Sequence, residues 1–134
     1  MERRNGRVKE SVGCKLMKNE LIELLSTYGY PVFEQGSLNE DDAYPDSFFT
    51  FWNDGTTDGE AYDNDAVFIV WNFTVYFYSV DETEVNTILP KLRKLLKQNG
   101  WIPEGVGYDV PSGEITHTGR AIDVRFKQPN EWRI

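Results

Sequence analysis

The stretch Ala66–Val80, AVFIVWNFTVYFYSV, decides the fold. Its odd positions from 67 to 77 are Val67, Ile69, Trp71, Phe73, Val75 and Phe77, all apolar. Successive side chains of a strand point to opposite faces, so this pattern predicts one long strand with an unbroken core-facing side. The even positions, Phe68, Val70, Asn72, Thr74, Tyr76 and Tyr78, are mixed. Such a face is too wet for a deep core and too aromatic for bare solvent. A partner subunit often covers a surface of that kind; otherwise it is a partly covered outer face of the sheet.

Downstream, Asp81 with Glu84 fits a helix N-cap with an acid at the third helical position, close to a capping box. Val85, Ile88, Leu89, Leu92, Leu95 and Leu96 follow as one apolar stripe, and Gly100 ends it. Pro90 falls inside the stripe and is expected to kink the helix or delay its start. Lys91, Arg93, Lys94 and Lys97 complement the C-terminal end of the helix dipole. The tail from Glu114 to Lys127 alternates as a final strand, with Ile122, Val124 and Phe126 inward.

Upstream, Leu16, Leu21, Leu24, Leu25 and Tyr28 predict a helix over about 17–28, stopped by Gly29. Tyr30-Pro31 forces the chain to extend, and Pro31–Glu34 reads as a short strand. Gly36–Asp46 is polar and acidic and reads as a loop, and Ser47–Trp52 as a strand with aromatics on both faces. Asn53-Asp54-Gly55 and Asp58-Gly59 read as turns. The order is helix, three or four strands, helix, one or two strands. It predicts an α+β fold: a mostly antiparallel sheet of about four to five strands with two helices on one face.

The chain has 134 residues, enough for a single domain that buries a sizeable core without disulfides or metal. One cysteine cannot build a disulfide framework. No stretch approaches a membrane span, and the first thirty residues lack the pattern of a secretory signal. A pI near 4.6 disfavours nucleic-acid binding through a basic patch. Residues 1–15 are basic, lack an apolar period and hold Cys14; they are expected to be a disordered arm or start-site extension ahead of a single domain over 16–134.

The net charge of −8 is segregated along the chain. The first eighteen residues hold six bases and two acids; residues 19–90 hold 15 acids and no Lys or Arg; from Lys91 onward eight bases face five acids. A subunit with one acidic and one basic part can attract its own copies head to side, or a basic partner. The alternative is an acidic loop surface that only confers solubility.

Candidate chemistry is sparse. DGTTDGEAYDND, residues 54–65, matches an EF-hand loop at Asp54, Asp58 and Gly59, but has Thr56 at the third position and Asp65 at the twelfth, between strand-like flanks. A hairpin with Asp-Gly turns explains the same letters. His117 is the only histidine and has no metal-ligand or triad pattern around it. No phosphate-binding loop, dinucleotide fingerprint or nucleophile elbow is present in the sequence. The expectation is a protein that is not an enzyme and needs no cofactor or metal.

YPDSFFTFWN (44–53), VFIVWNFTVYFYSVD (67–81), ETEVNTILPKLRKLLKQNGW (82–101) and GVGYDVPSGEITHTGRAIDVRF (105–126) together resemble small proteins of tailed-phage and prophage morphogenesis clusters, of the neck and tail-terminator or tail-completion kind. The likeness covers about residues 17–127 and rests on element order and wording, with a His-Thr-Gly-Arg turn at 117–120. It implies a virion protein, assembled in the host cytoplasm into a ring, often hexameric, that caps the tail tube and meets the head connector. Neither a membrane nor a sequence-specific nucleic acid is among the expected partners. A ring needs one surface to meet a different surface of the next copy. Acidic 34–65 against basic 91–97 or 120–127 is the candidate contact, with Asp54, Asp58, Glu60, Tyr76, Tyr78, Lys94, Lys97 and Arg120 as candidate interface residues. The competing expectation is an acidic inhibitor that imitates DNA phosphates and blocks a basic host protein.

Overall fold

The computed structural model describes residues 5–35, 44–58, 61–62, 65–66, 68–112 and 116–129. The elements run α1 (Asn5–Ser26), β1 (Val32–Glu34), β2 (Ser47–Asp58), β3 (Ala61–Tyr62), β4 (Asp65–Ala66), β5 (Phe68–Ser79), α2 (Glu82–Gln98), β6 (Ile102–Val110) and β7 (Thr118–Pro129). β1, β2, β5, β7 and β6 form one sheet in that order, antiparallel except for the β1–β2 pair; β3 and β4 pair separately. Both helices pack on one face of the sheet, so the chain is an α+β protein.

β5 lies at the centre because its odd positions have no polar interruption. Trp71, Phe73, Val75 and Phe77 are buried together with Phe49 and Phe51 of β2 and Ile122 and Val124 of β7. Met17, Leu21 and Leu25 of α1 and, from the expected stripe on α2, Val85, Ile88, Leu89, Leu92 and Leu96 close over them, while Leu95 is only half-buried. Each large apolar side chain removed from water contributes about 1.5–3 kcal/mol, which makes this layer the main source of stability.

Local chemistry sets the helix ends. Gly29, at φ 84°, turns the chain out of α1, and the amide of Phe49 donates to the Pro31 carbonyl at 2.9 Å as β1 begins. α1 extends back to Asn5, through most of the segment expected to be an arm, while residues 1–4 lie outside the described residues. α2 starts at Glu82 and runs on through Pro90, so the proline does not delay its start. Asp81 caps it by accepting from the Thr83 amide at 3.0 Å. The capping box is not completed by Glu84: the Asp81 amide donates to Ser79 Oγ at 3.0 Å, and the Glu84 carboxylate accepts from Ser47 Oγ at 2.8 Å. At the other end Gly100, at φ 87°, and Trp101 return hydrogen bonds to the Lys97 and Leu96 carbonyls, the Schellman pattern that lets the chain reverse into β6.

The course of β2 also departs from the sequence expectation. β2 does not turn at Asn53-Asp54-Gly55 but continues to Asp58, absorbing one residue as a bulge; Asn53 Oδ1 accepts from the Gly55 amide at 2.9 Å. The letters of a turn serve here as a bulge, since both need a side-chain acceptor and a permissive glycine. β6 and β7 are the strand pair expected at the end of the chain; β6 holds although its stretch is glycine-rich, with its register broken between Glu104 and Tyr108. At Gly107, φ is 98°, and a Cβ there would lie 2.8 Å from Leu89 Cδ2 and 3.0 Å from the Ala121 carbonyl oxygen. Gly107→Ala is therefore expected to cost about 1–3 kcal/mol through backbone strain and overpacking, read as a lower denaturation midpoint.

Candidate functional site

The face of the sheet away from the helices holds the even positions of β5. Cross-strand register places Tyr78 beside Phe48 and Gly119, Tyr76 beside Thr50 and Ala121, and Thr74 beside Trp52 and Asp123. β6 adds Glu104 and Tyr108 at its outer edge, opposite Asp123 and Ala121. This open face divides into an aromatic end and an acidic end.

At the aromatic end, Phe48 stacks on Tyr44 and Tyr78 with centroids 5.7 and 5.3 Å apart, and Phe33 meets it edge-on at 6.0 Å. Tyr76 stacks on Tyr78 at 6.2 Å. His117 sits edge-on to Phe48 and Tyr44, and its Nε2 lies 2.9 Å from the Pro45 carbonyl. A carbonyl only accepts, so Nε2 carries a proton and donates; Nδ1 lies 3.0 Å from Thr116 Oγ1 and accepts from it in the neutral ring. His117 therefore pins the entry of β7 to the segment before β2, rather than forming the turn expected at 117–120. Gly119 makes the close packing possible, because a Cβ there would fall 2.6 Å from Tyr78 Cε1. Gly119→Ala is expected to push Tyr78 aside and lower the melting temperature, with a change in the chemical shifts of the Phe48 and His117 rings as the specific signature.

At the acidic end, Thr74, buried to all but 4%, lies with its hydroxyl against carboxylates from two strands, Asp54 of β2 and Asp123 of β7. The Thr74–Asp123 contact is 2.8 Å, and Tyr108 donates to the same Asp123 oxygen at 3.1 Å. The bulge at Asn53–Gly55 brings Asp54 into this position. Nearby, Arg125 and Glu104 form an ion pair at 2.9 Å, whose Nε–H is not aimed along a hydrogen bond. Trp52 and Tyr108 border the cluster and are about half exposed, at 49% and 45%.

The phenols register this negative environment. Desolvation first, then the Asp123 charge and hydrogen bond, push Tyr108 up to about 12. Tyr76 is raised by burial and then by Asp54 and Asp123. Under the helices Tyr30 is likewise pushed up to about 12, chiefly by burial and then by Glu84. A raised phenol binds its proton more tightly in the folded chain than in the unfolded one. Its stabilising contribution is complete below the ordinary value of 10.0 and is lost as pH rises through about 12. The melting temperature is expected to fall across that alkaline window, and Tyr30→Phe with Tyr108→Phe to flatten the fall.

The candidate interface residues lie on different sides of the subunit. Asp54, Tyr76 and Tyr78 share the open face. Lys94 and Lys97 are exposed on the outer surface of α2. Arg120 stands opposite Phe77 on the helix side of the sheet and pairs with Asp109 at 2.9 Å, which removes it from the open face. Asp58 ends β2, and its side chain, like all of Glu60, lies outside the described residues. Of the EF-hand-like stretch, 54–58 belongs to β2 and 61–62 pairs with 65–66, so its described part is strand. Trp52, Tyr108 and Asp123 join the site without having been singled out in the sequence. No helix among the described residues is long and apolar enough to cross a membrane. No family model matches the chain, and no curated protein matches it.

Proposed function

We propose that this chain is a structural subunit of tailed-phage or prophage assembly, which forms a ring at the tail end or head–tail junction and terminates or completes the tail. One observation carries the reading: the subunit has two unlike surfaces on opposite sides. The open sheet face presents aromatic rings and carboxylates, and the outer side of α2 presents lysines. Closed rings are built by heterologous contacts, in which one surface meets a different surface of the next copy. The wording of residues 44–126 supports the same reading through its likeness to neck and tail-terminator proteins. Neither the ring nor the contact requires a cofactor, a metal or a nucleic acid.

The experiment is a pull-down with the tagged full-length chain from infected or induced cells, read by mass spectrometry. Tail-tube or head-connector proteins are the expected catch. A basic host nuclease or repressor recovered without virion proteins would instead favour the acidic inhibitor.

A further inference from the structure

We infer that the acidic end of the open face is the receptor for the basic C-terminal half of α2 from a second copy of this chain. This rests on the ring reading and gives its contact in residues. Within one subunit the layers run helix, then sheet, and no helix among the described residues lies on the sheet's second face. A helix from the next copy laid on that face repeats the packing already used on the first.

Charge selects which helix surface. Asp54 and Asp123 both lie against the neutral hydroxyl of Thr74, and Asp123 also accepts from the neutral hydroxyl of Tyr108. Lys94 and Lys97 are exposed and three residues apart, so they are neighbours on one side of α2 and can reach two adjacent carboxylates together. Trp52, half exposed beside the cluster, offers an apolar wall to a lysine stem and a ring face to its ammonium. Arg120 is not part of this contact, since it serves Asp109 of its own subunit.

Two full-length variants test the pairing. Lys94→Glu with Lys97→Glu makes the helix surface acidic; Asp54→Lys cancels the negative charge of the receptor and sets a lysine at the exposed bulge. Alone, the first variant sets acid against acid, and the second replaces the attraction at the bulge by a lysine facing lysines. Mixed, each restores opposite charge at both kinds of junction. Sedimentation over a concentration series, with circular dichroism to confirm folding, is expected to show self-association of the wild type. It should be weaker by on the order of tenfold or more in each variant and recovered in the mixture. Carbodiimide cross-links between Asp54 and Lys94 or Lys97 should appear in the wild type. Association unchanged in both folded variants would overturn these two surfaces and leave the ring reading intact. A wild type that gives neither association nor these cross-links at its highest soluble concentration would overturn the self-docking, while the ring reading is then decided on assembled particles. If the variants lose association but the mixture does not regain it, the pairing is wrong.

Discussion

Phe77→Ala is expected to cost about 3–5 kcal/mol, a large share of the roughly 5–15 kcal/mol that holds a domain of this kind together. Phe77 is fully buried on β5, with ring centroids 4.7 Å from Phe49 and 5.2 Å from Tyr30. Truncation removes both ring contacts and opens a cavity between the sheet and the segment that links α1 to β1. The neighbours cannot collapse into it, because Phe49 is fixed by the β2 ladder and Tyr30 by the extended backbone before Pro31. Urea denaturation should show a much lower midpoint with a similar slope. Phe77→Leu, which keeps most of the volume, should lose less than half as much. Equal losses from the two substitutions would show that ring packing at this position is not what stabilises the layer.

Trp101 carries a comparable expectation with an internal control. It is 2% exposed and meets Phe73 and Phe126 edge-on at centroid distances of 5.8 and 5.1 Å, joining the end of α2 to β5 and β7. Its indole nitrogen is buried with no hydrogen-bond partner among the described residues. Trp101→Ala is expected to cost about 3–5 kcal/mol through lost contacts and a cavity. Trp101→Phe removes the unsatisfied donor along with part of the ring, so the two effects oppose each other and the net loss should stay within about 1–2 kcal/mol. Thermal and urea denaturation of the pair reads both values. A Trp101→Phe protein as unstable as Trp101→Ala would mean that the indole nitrogen does find a partner.

The elements that could be read from sequence are those whose pattern is internal to one segment. β5 announces itself by strict alternation, and α2 by its stripe, its Asp81 cap and its Gly100 stop. β2 was cut short because Asn53-Asp54-Gly55 spells a turn when read alone; whether such letters turn or bulge depends on a partner strand continuing alongside, which β5 does. β6 was legible as the first member of the strand pair at the end of the chain, but its bounds were not, because Gly105 and Gly107 interrupt any alternation and Val106 is 71% exposed. The site was only half legible. Tyr76 and Tyr78 follow from the face of β5, but the meeting of Asp54, Asp123 and Tyr108 depends on strand order, which local periodicity does not encode. The side of the sheet that Arg120 occupies was legible, since the alternation that turns Ile122 and Val124 inward puts it there too. The link from His117 to Pro45 spans 72 residues and had no local signal.

The central claim, a ring-forming subunit of tailed-phage assembly, is tested most directly by quantitative mass spectrometry of purified particles from the strain that encodes the chain. The protein is expected in tailed particles, at a small fixed copy number relative to the tail-tube protein, retained through salt washes and density gradients. Its absence from intact tailed particles, with the expressed protein recovered instead on a basic host protein, would contradict the account.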